Sequence, residues 1–237
     1  MFRVIRQAFQ SFLGGNDGLD VSGKMFEWNQ QGWTLKHCLL VFILGDISSS
    51  LLQAVLPVIH VPGLSFLFFI WWFHPDRDSG IHHCFQIPDR EEVPQILSLA
   101  VKWAVAIFII RTSIVYLQIH FFQASFPVLN PLHDSKLPFW EVIVFAVSAV
   151  VVGPIWEEFL FRQILYQSLG AHYMVSAMVS SALWAGMHFS LEWFPYLMIS
   201  GLIYIYLYES SKNIWYPIAV HALINALSVA VSLTSLI

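Results

Sequence analysis

Three short stretches of this 237-residue chain carry side chains with chemistry to offer. Glu157, Glu158 and Arg162 stand together, His188 follows, and His221 with Asn225 completes the set. All lie in otherwise apolar segments, where an ionisable group is costly and a functional role is the default hypothesis. On a helix, Glu158 and Arg162 at i and i+4 stack on one face, acid before base. They can neutralise each other, which lowers the cost of keeping both in low dielectric. Glu157 points about 100° away and is left without that partner. A carboxylate so placed suits general-base work. His221 and Asn225 are also four apart and share a face. Together they offer two donors to a developing oxyanion.

Composition says what must position these groups. The chain is 57% apolar and 11% charged, with a mean hydropathy of +0.67. Soluble domains carry about a quarter charged residues, so there are too few charges here to cover a water-facing surface. Twenty Phe and ten Trp exclude disorder. A net charge of −4 gives no basic face for a nucleic-acid partner. Two cysteines make neither a disulfide framework nor a metal motif.

The expected fold is all-α, a polytopic membrane bundle. Residues 1–36 form an N-terminal segment in which Phe2, Ile5, Phe9, Phe12 and Leu13 recur at helical spacing, the pattern of a helix lying on the membrane surface. Residues 37–237 form the transmembrane domain. Its apolar segments run from His37 to Ile59, within Pro57 to Phe73, and from Ile96 to Phe122, Pro138 to Leu169, His172 to Ser190, Trp193 to Tyr208 and Pro217 to Ile237. Most approach the roughly 20 residues that cross a bilayer. If the short second segment crosses, Arg3, Arg6, Lys24, Lys36, Arg77, Arg90 and Lys212 share the N-terminal side, with Lys136 opposite. That bias favours about seven spans with the N-terminus inside; six is the alternative.

Helix rise sets the depths. Measured from the turns at Gly170 and Lys212, Glu157 and Asn225 lie level at roughly 20 Å, His221 at roughly 13 Å and His188 at roughly 27 Å. The helix must therefore continue unbroken past Glu157. Gly153-Pro154, one turn earlier, should kink it and free a backbone carbonyl. Such a break is tolerated where it borders a polar cavity, and water there would be the nucleophile.

The motifs resemble those of the CAAX-protease and bacteriocin-processing (CPBP, or Abi) membrane family. Glu157-Glu158-Phe-Leu-Phe-Arg162 is similar to its EExxxR motif, Trp184-Ala-Gly-Met-His188 to FxxxH, and His221-Ala-Leu-Ile-Asn225 to HxxxN, in the same order. The resemblance covers about residues 138–230. Trp184 stands where Phe is usual, as a packing aromatic, and Gln163 replaces a glycine common after the Arg. The family includes the Ras-converting CAAX endopeptidase. The resemblance implies an intramembrane glutamic endopeptidase, in a bacterium of the cytoplasmic membrane, acting on a membrane-bound or lipidated peptide without metal or other cofactor. Glu157, helped by His188, would activate water. His221 and Asn225 would stabilise the oxyanion, and Glu158 and Arg162 would be supporting residues.

Plainer readings stand beside this one. Glu158 and Arg162 form a structural ion pair, His188 caps a helix, and His221 is an interfacial histidine. A zinc version has Glu157, His188 and His221 as ligands but no HExxH pair. A non-catalytic scaffold or immunity-like protein would keep the set as a packing network, and a proton-coupled transporter would use it as a relay. Asp46, in the first segment, is expected to pair with Lys102 or Arg111. His74, His82 and His83 are expected to lie in a solvated loop.

Overall fold

The structure, a computed structural model, describes residues 32–55, 63–75, 85–123, 138–169 and 173–234. The N-terminal surface helix, His82 and His83 fall outside these. The described residues form seven helices: α1 (Leu35–Val55), α2 (Leu64–Trp72), α3 (Val93–Phe122), α4 (Phe139–Ser168), α5 (Tyr173–Gly186), α6 (Phe194–Ser211) and α7 (Trp215–Thr234). The expected all-α membrane bundle is what is found. α1, α3, α4 and α7 are each long and apolar enough to cross a bilayer.

α3 shows how such a helix differs from a soluble one. Ala100, Trp103, Ala104 and Ile107 face the core, while Leu97, Val101, Val105 and Phe108 are exposed on the other side. Both faces are apolar, so lipid must cover the outer one. Pro94, in the first turn, occupies a position whose N–H a helix does not need.

The helices alternate in direction. Trp33, before α1, meets His74, after α2, edge-on at 5.1 Å. The Trp215 indole, at the start of α7, donates to the carbonyl of Phe85, before α3, at 2.9 Å. The start of α1 and the end of α2 therefore lie together, as do the start of α7 and the approach to α3.

α2 departs from the expected second span. Its nine helical residues rise about 13 Å, well short of a bilayer's roughly 30 Å. It begins deep in the bundle, where Phe66 stacks on Trp156 of α4 at 4.3 Å, and ends beside Trp33. Gly63 precedes it at φ +99°, and a Cβ there would stand 2.4 Å from the Trp156 ring. Glycine is the residue that meets both demands.

Small residues bring α5 and α6 together. Ser176, Ala177, Ser180, Ser181 and Ala185 form the buried face of α5. A Cβ on Gly201 of α6 would lie 2.9 Å from the Ser181 Cβ. In lipid, where apolar burial no longer drives association, this close packing is what holds helices together. Two charges differ from expectation. Among the described residues Asp46 is exposed and pairs with neither Lys102 nor Arg111; Arg111 turns instead to Ser228 of α7.

Gly201→Leu should force α5 and α6 apart and destabilise the bundle by about 1–3 kcal/mol, the usual penalty of overpacking. Thermal unfolding of the purified protein in detergent checks this, with a lowered midpoint expected.

Candidate active site

α4 is continuous but not uniformly α-helical. Two π-helical stretches, Ser148–Val152 and Phe159–Leu165, flank Gly153–Glu158. Each π-turn inserts a residue and turns the following side chains relative to an ideal helix, a device common at functional sites. In the first stretch the Gly153 N–H bonds the carbonyl of Ser148, five residues back. The next donor in that register would be Pro154, which has no N–H. The carbonyl of Ala149 is thus freed, and Asn225 Nδ2 donates to it at 2.8 Å. In the second stretch the Phe161 carbonyl accepts the Tyr166 N–H and the Ser180 hydroxyl at 2.6 Å.

The helix does run on past Glu157, as mid-membrane placement requires. Glu158 and Arg162 are both fully buried, with Arg162 Nε 3.0 Å from Glu158 Oε2. The guanidinium lies over the Trp184 ring at 4.6 Å and the Tyr204 ring at 5.3 Å. Aromatic faces compensate a buried cation where water is absent. Glu158 is more than a partner for Arg162, however. Its Oε1 accepts a hydrogen bond from His221 Nδ1 at 2.8 Å.

That bond aims the histidine. With Nδ1 committed to Glu158, Nε2 points toward Glu157, whose Oε2 is 4.0 Å away. The imidazole is clamped between Tyr204, stacked on it at 5.2 Å and 17°, and Trp184, edge-on at 5.4 Å. Glu157 itself is only partly covered, its side chain 18% exposed. Trp184 Nε1 donates to its Oε2 at 2.6 Å. Among the described residues Oε1 has no hydrogen-bond partner. A Cβ on Gly153 would stand 3.6 Å from it, in ordinary van der Waals contact.

Glu157, Glu158, Arg162 and His221 therefore meet in one cluster. Asn225 and His188 sit at its edges. Asn225 is not level with Glu157; His221 is, and Asn225 reaches α4 about two helical turns away at Ala149. His188 is exposed. It lies in the turn after α5, its Nδ1 2.9 Å from the Trp184 carbonyl, and its ring rests edge-on against the indole at 5.1 Å. The group that touches Glu157 is thus the indole, not His188.

Two participants were not singled out as polar contributors from sequence. Trp184 was expected to pack as an aromatic. It does, and it also brings an N–H that a phenylalanine lacks. Tyr204, fully buried in α6, is the platform for His221 and Arg162. A tyrosine or tryptophan at membrane mid-depth needs a polar partner, which is the signal that marks both.

Asn225→Ala should leave the Ala149 carbonyl unpaired inside the bundle. A cost of about 1–3 kcal/mol is expected, read as a lower unfolding midpoint in detergent.

Residues 138–227 match the family model described as Rce1-like: type II CAAX prenyl endopeptidase Rce1-like. Over 89 residues, 37% of this chain and 36% of the relative, the sequence is 29% identical to "Putative membrane peptidase YdiL" of Bacillus subtilis (strain 168). Over 150 residues, 56% of this chain and 59% of the relative, it is 27% identical to the membrane-embedded CAAX protease MroQ of Staphylococcus aureus (strain USA300). The chain thus spans about a third of one curated relative's length and under two thirds of the other's. No solved structure matches it. The apolar helices and these relatives make the chain an integral, multi-pass membrane protein. The segment that carries its three motifs is Rce1-like.

Proposed function

We propose that the chain is a membrane endopeptidase of the glutamic type, hydrolysing a peptide bond in a membrane-bound or lipidated substrate. The observation that carries this reading is the division of labour between adjacent acids. Glu158 is fully buried and bound to both Arg162 and His221. Glu157 is partly exposed, with one oxygen held and the other open.

A water beside Glu157 Oε1 gives that oxygen a proton as its own oxygen attacks the scissile carbonyl carbon. The carbonyl π bond opens to an oxyanion. This scheme requires His221 as a double donor, with Nδ1–H on Glu158 and Nε2–H toward the oxyanion. With Glu157 now protonated, the Glu158 carboxylate, the oxyanion, the guanidinium and the imidazolium sum to zero charge, which is what a low-dielectric site tolerates. Asn225 has two N–H groups; one is spent on Ala149 and the second is available to the oxyanion. Donors fixed in place before the charge develops stabilise it without reorganisation. The tetrahedral intermediate collapses as the C–N bond breaks, and Glu157 returns its proton to the leaving amine. His188, exposed one turn beyond Trp184, is the second group at the water's approach. No step needs a metal.

The family and the names of the relatives support the reaction class. The catalytic roles rest on the geometry and on the three motifs. Glu157→Gln should abolish peptide cleavage by the purified protein while leaving its unfolding midpoint near that of the wild type. His221→Ala should lower turnover by at least about 100-fold, as loss of an oxyanion donor does. Cleavage at the wild-type rate by Glu157→Gln would overturn the assignment. Full biological activity in that variant without any peptide product would favour the scaffold.

A further inference from the structure

The water-facing acid is steered by an indole. Trp184 is buried, and its ring is fixed on four sides. The Arg162 guanidinium lies 4.6 Å from its centroid. His221, His188 and Tyr204 meet it edge-on at 5.4, 5.1 and 5.6 Å. A ring so closely packed keeps its N–H in one direction. That N–H donates to Glu157 Oε2 at 2.6 Å. His221 Nε2 faces the same oxygen from 4.0 Å. Among the described residues no donor reaches Oε1. The FxxxH motif has phenylalanine at this position. A phenyl ring could fill the space and cover Arg162, but it has no hydrogen to donate.

This asymmetry decides where a proton can rest. A carboxylate that takes up a proton can carry it on either oxygen. On Oε2 the new O–H would meet the indole N–H, donor against donor. On Oε1 it leaves Oε2 as a carbonyl-type oxygen, which still accepts the indole hydrogen. The same N–H therefore suits Glu157 with and without the proton. In the proposed reaction the attacking water stands on the Oε1 side, and the leaving amine must collect its proton there.

We propose that Trp184 is a positioning residue, whose indole N–H reserves Glu157 Oε1 as the oxygen that takes the proton from water and returns it to the amine. The proposal rests on the endopeptidase reading and adds which oxygen acts and what selects it. On attack an O–H bond of water breaks, its proton goes to Oε1, and the remaining hydroxide bonds to the carbonyl carbon. On collapse the C–N bond breaks and the Oε1 proton passes to the departing nitrogen. With phenylalanine at 184 the proton can settle on Oε2, and the carboxyl group can rotate about its last bond. Part of the population then holds its proton away from the amine. The loss falls on turnover and not on substrate binding, because the indole N–H is spent on the base.

The test compares the wild type, Trp184→Phe and a protein with benzothienylalanine in place of Trp184 (the same bicyclic shape, with sulfur where the N–H was). Each is used full-length in detergent, on a prenylated-cysteine peptide with three residues after the cysteine. Both replacements should lower kcat by roughly 10- to 100-fold, the range of one hydrogen bond to a charged group, and leave KM near that of the wild type. Benzothienylalanine keeps the packing, so its unfolding midpoint should stay close to the wild-type value while turnover falls. Wild-type kcat in that protein would overturn the proposal, as would a loss confined to KM. A spectroscopic arm is independent of activity. In protein with isotopically labelled tryptophan, the indole N–H resonance missing from Trp184→Phe belongs to Trp184. It should move upfield in Glu157→Gln, since an amide oxygen accepts more weakly than a carboxylate. An unmoved resonance alongside peptide cleavage by the wild type would overturn the proposal and keep the endopeptidase reading. A moved resonance in a wild type that cleaves no peptide would sink that reading, and the proton role with it, while keeping the indole as the partner of Glu157.

Discussion

Charge inside a membrane bundle must be compensated where it stands, because neither water nor lipid will do it. The Glu158 carboxylate meets that demand twice, with Arg162 on one oxygen and His221 on the other. Everything around it follows from keeping these groups together. Trp184 and Tyr204 cover the guanidinium and wedge the imidazole. The small face of α5 lets α6 come close enough for Tyr204 to reach His221. Without Glu158, Arg162 would be a buried cation on aromatic rings alone, and His221 would lose the bond that aims Nε2 at Glu157.

The backbone of α4 solves a second problem. Two consecutive glutamates on an ideal helix diverge by about 100°, yet both must serve one histidine. The histidine does this with its two nitrogens, Nδ1 to Glu158 and Nε2 toward Glu157. The π-helical stretches on either side reset which residues face α5 and α7. They free carbonyls in doing so. Pro154 makes the vacancy at Ala149, and Asn225 fills it from α7. The residue expected to serve the oxyanion therefore also locks α4 to α7, so its loss affects structure as well as chemistry.

Much of this was legible in the residues. Glu158 and Arg162 at i and i+4 could be paired on paper, and the three motifs could be placed on separate spans, because both inferences need only helical periodicity. The carbonyl freed near Gly153-Pro154 was likewise dictated by proline's missing N–H. What could not be read is what depends on registers between helices. Hydropathy is blind to a π-turn, so Asn225 was placed level with Glu157 when its partner is Ala149. The apolar run before Phe73 looked like a span, because composition does not show that α2 starts at Trp156. Asp46 was matched to Lys102 or Arg111 by charge alone, whereas Arg111 turns to Trp193, Tyr196 and Ser228. Trp184 read as a substitute ring, since its N–H matters only once Glu157 is known to lie opposite.

On the proposed mechanism the two neighbouring acids have separate duties, one structural and one open to water. Unfolding midpoints of Glu158→Gln and Glu157→Gln, taken side by side in the same detergent, test it most directly. Breaking a buried pair costs about 3–5 kcal/mol, so Glu158→Gln should melt many degrees below the wild type. Glu157→Gln, which can still accept the indole N–H, should melt close to it. Equal midpoints, or the reverse order, would contradict the account.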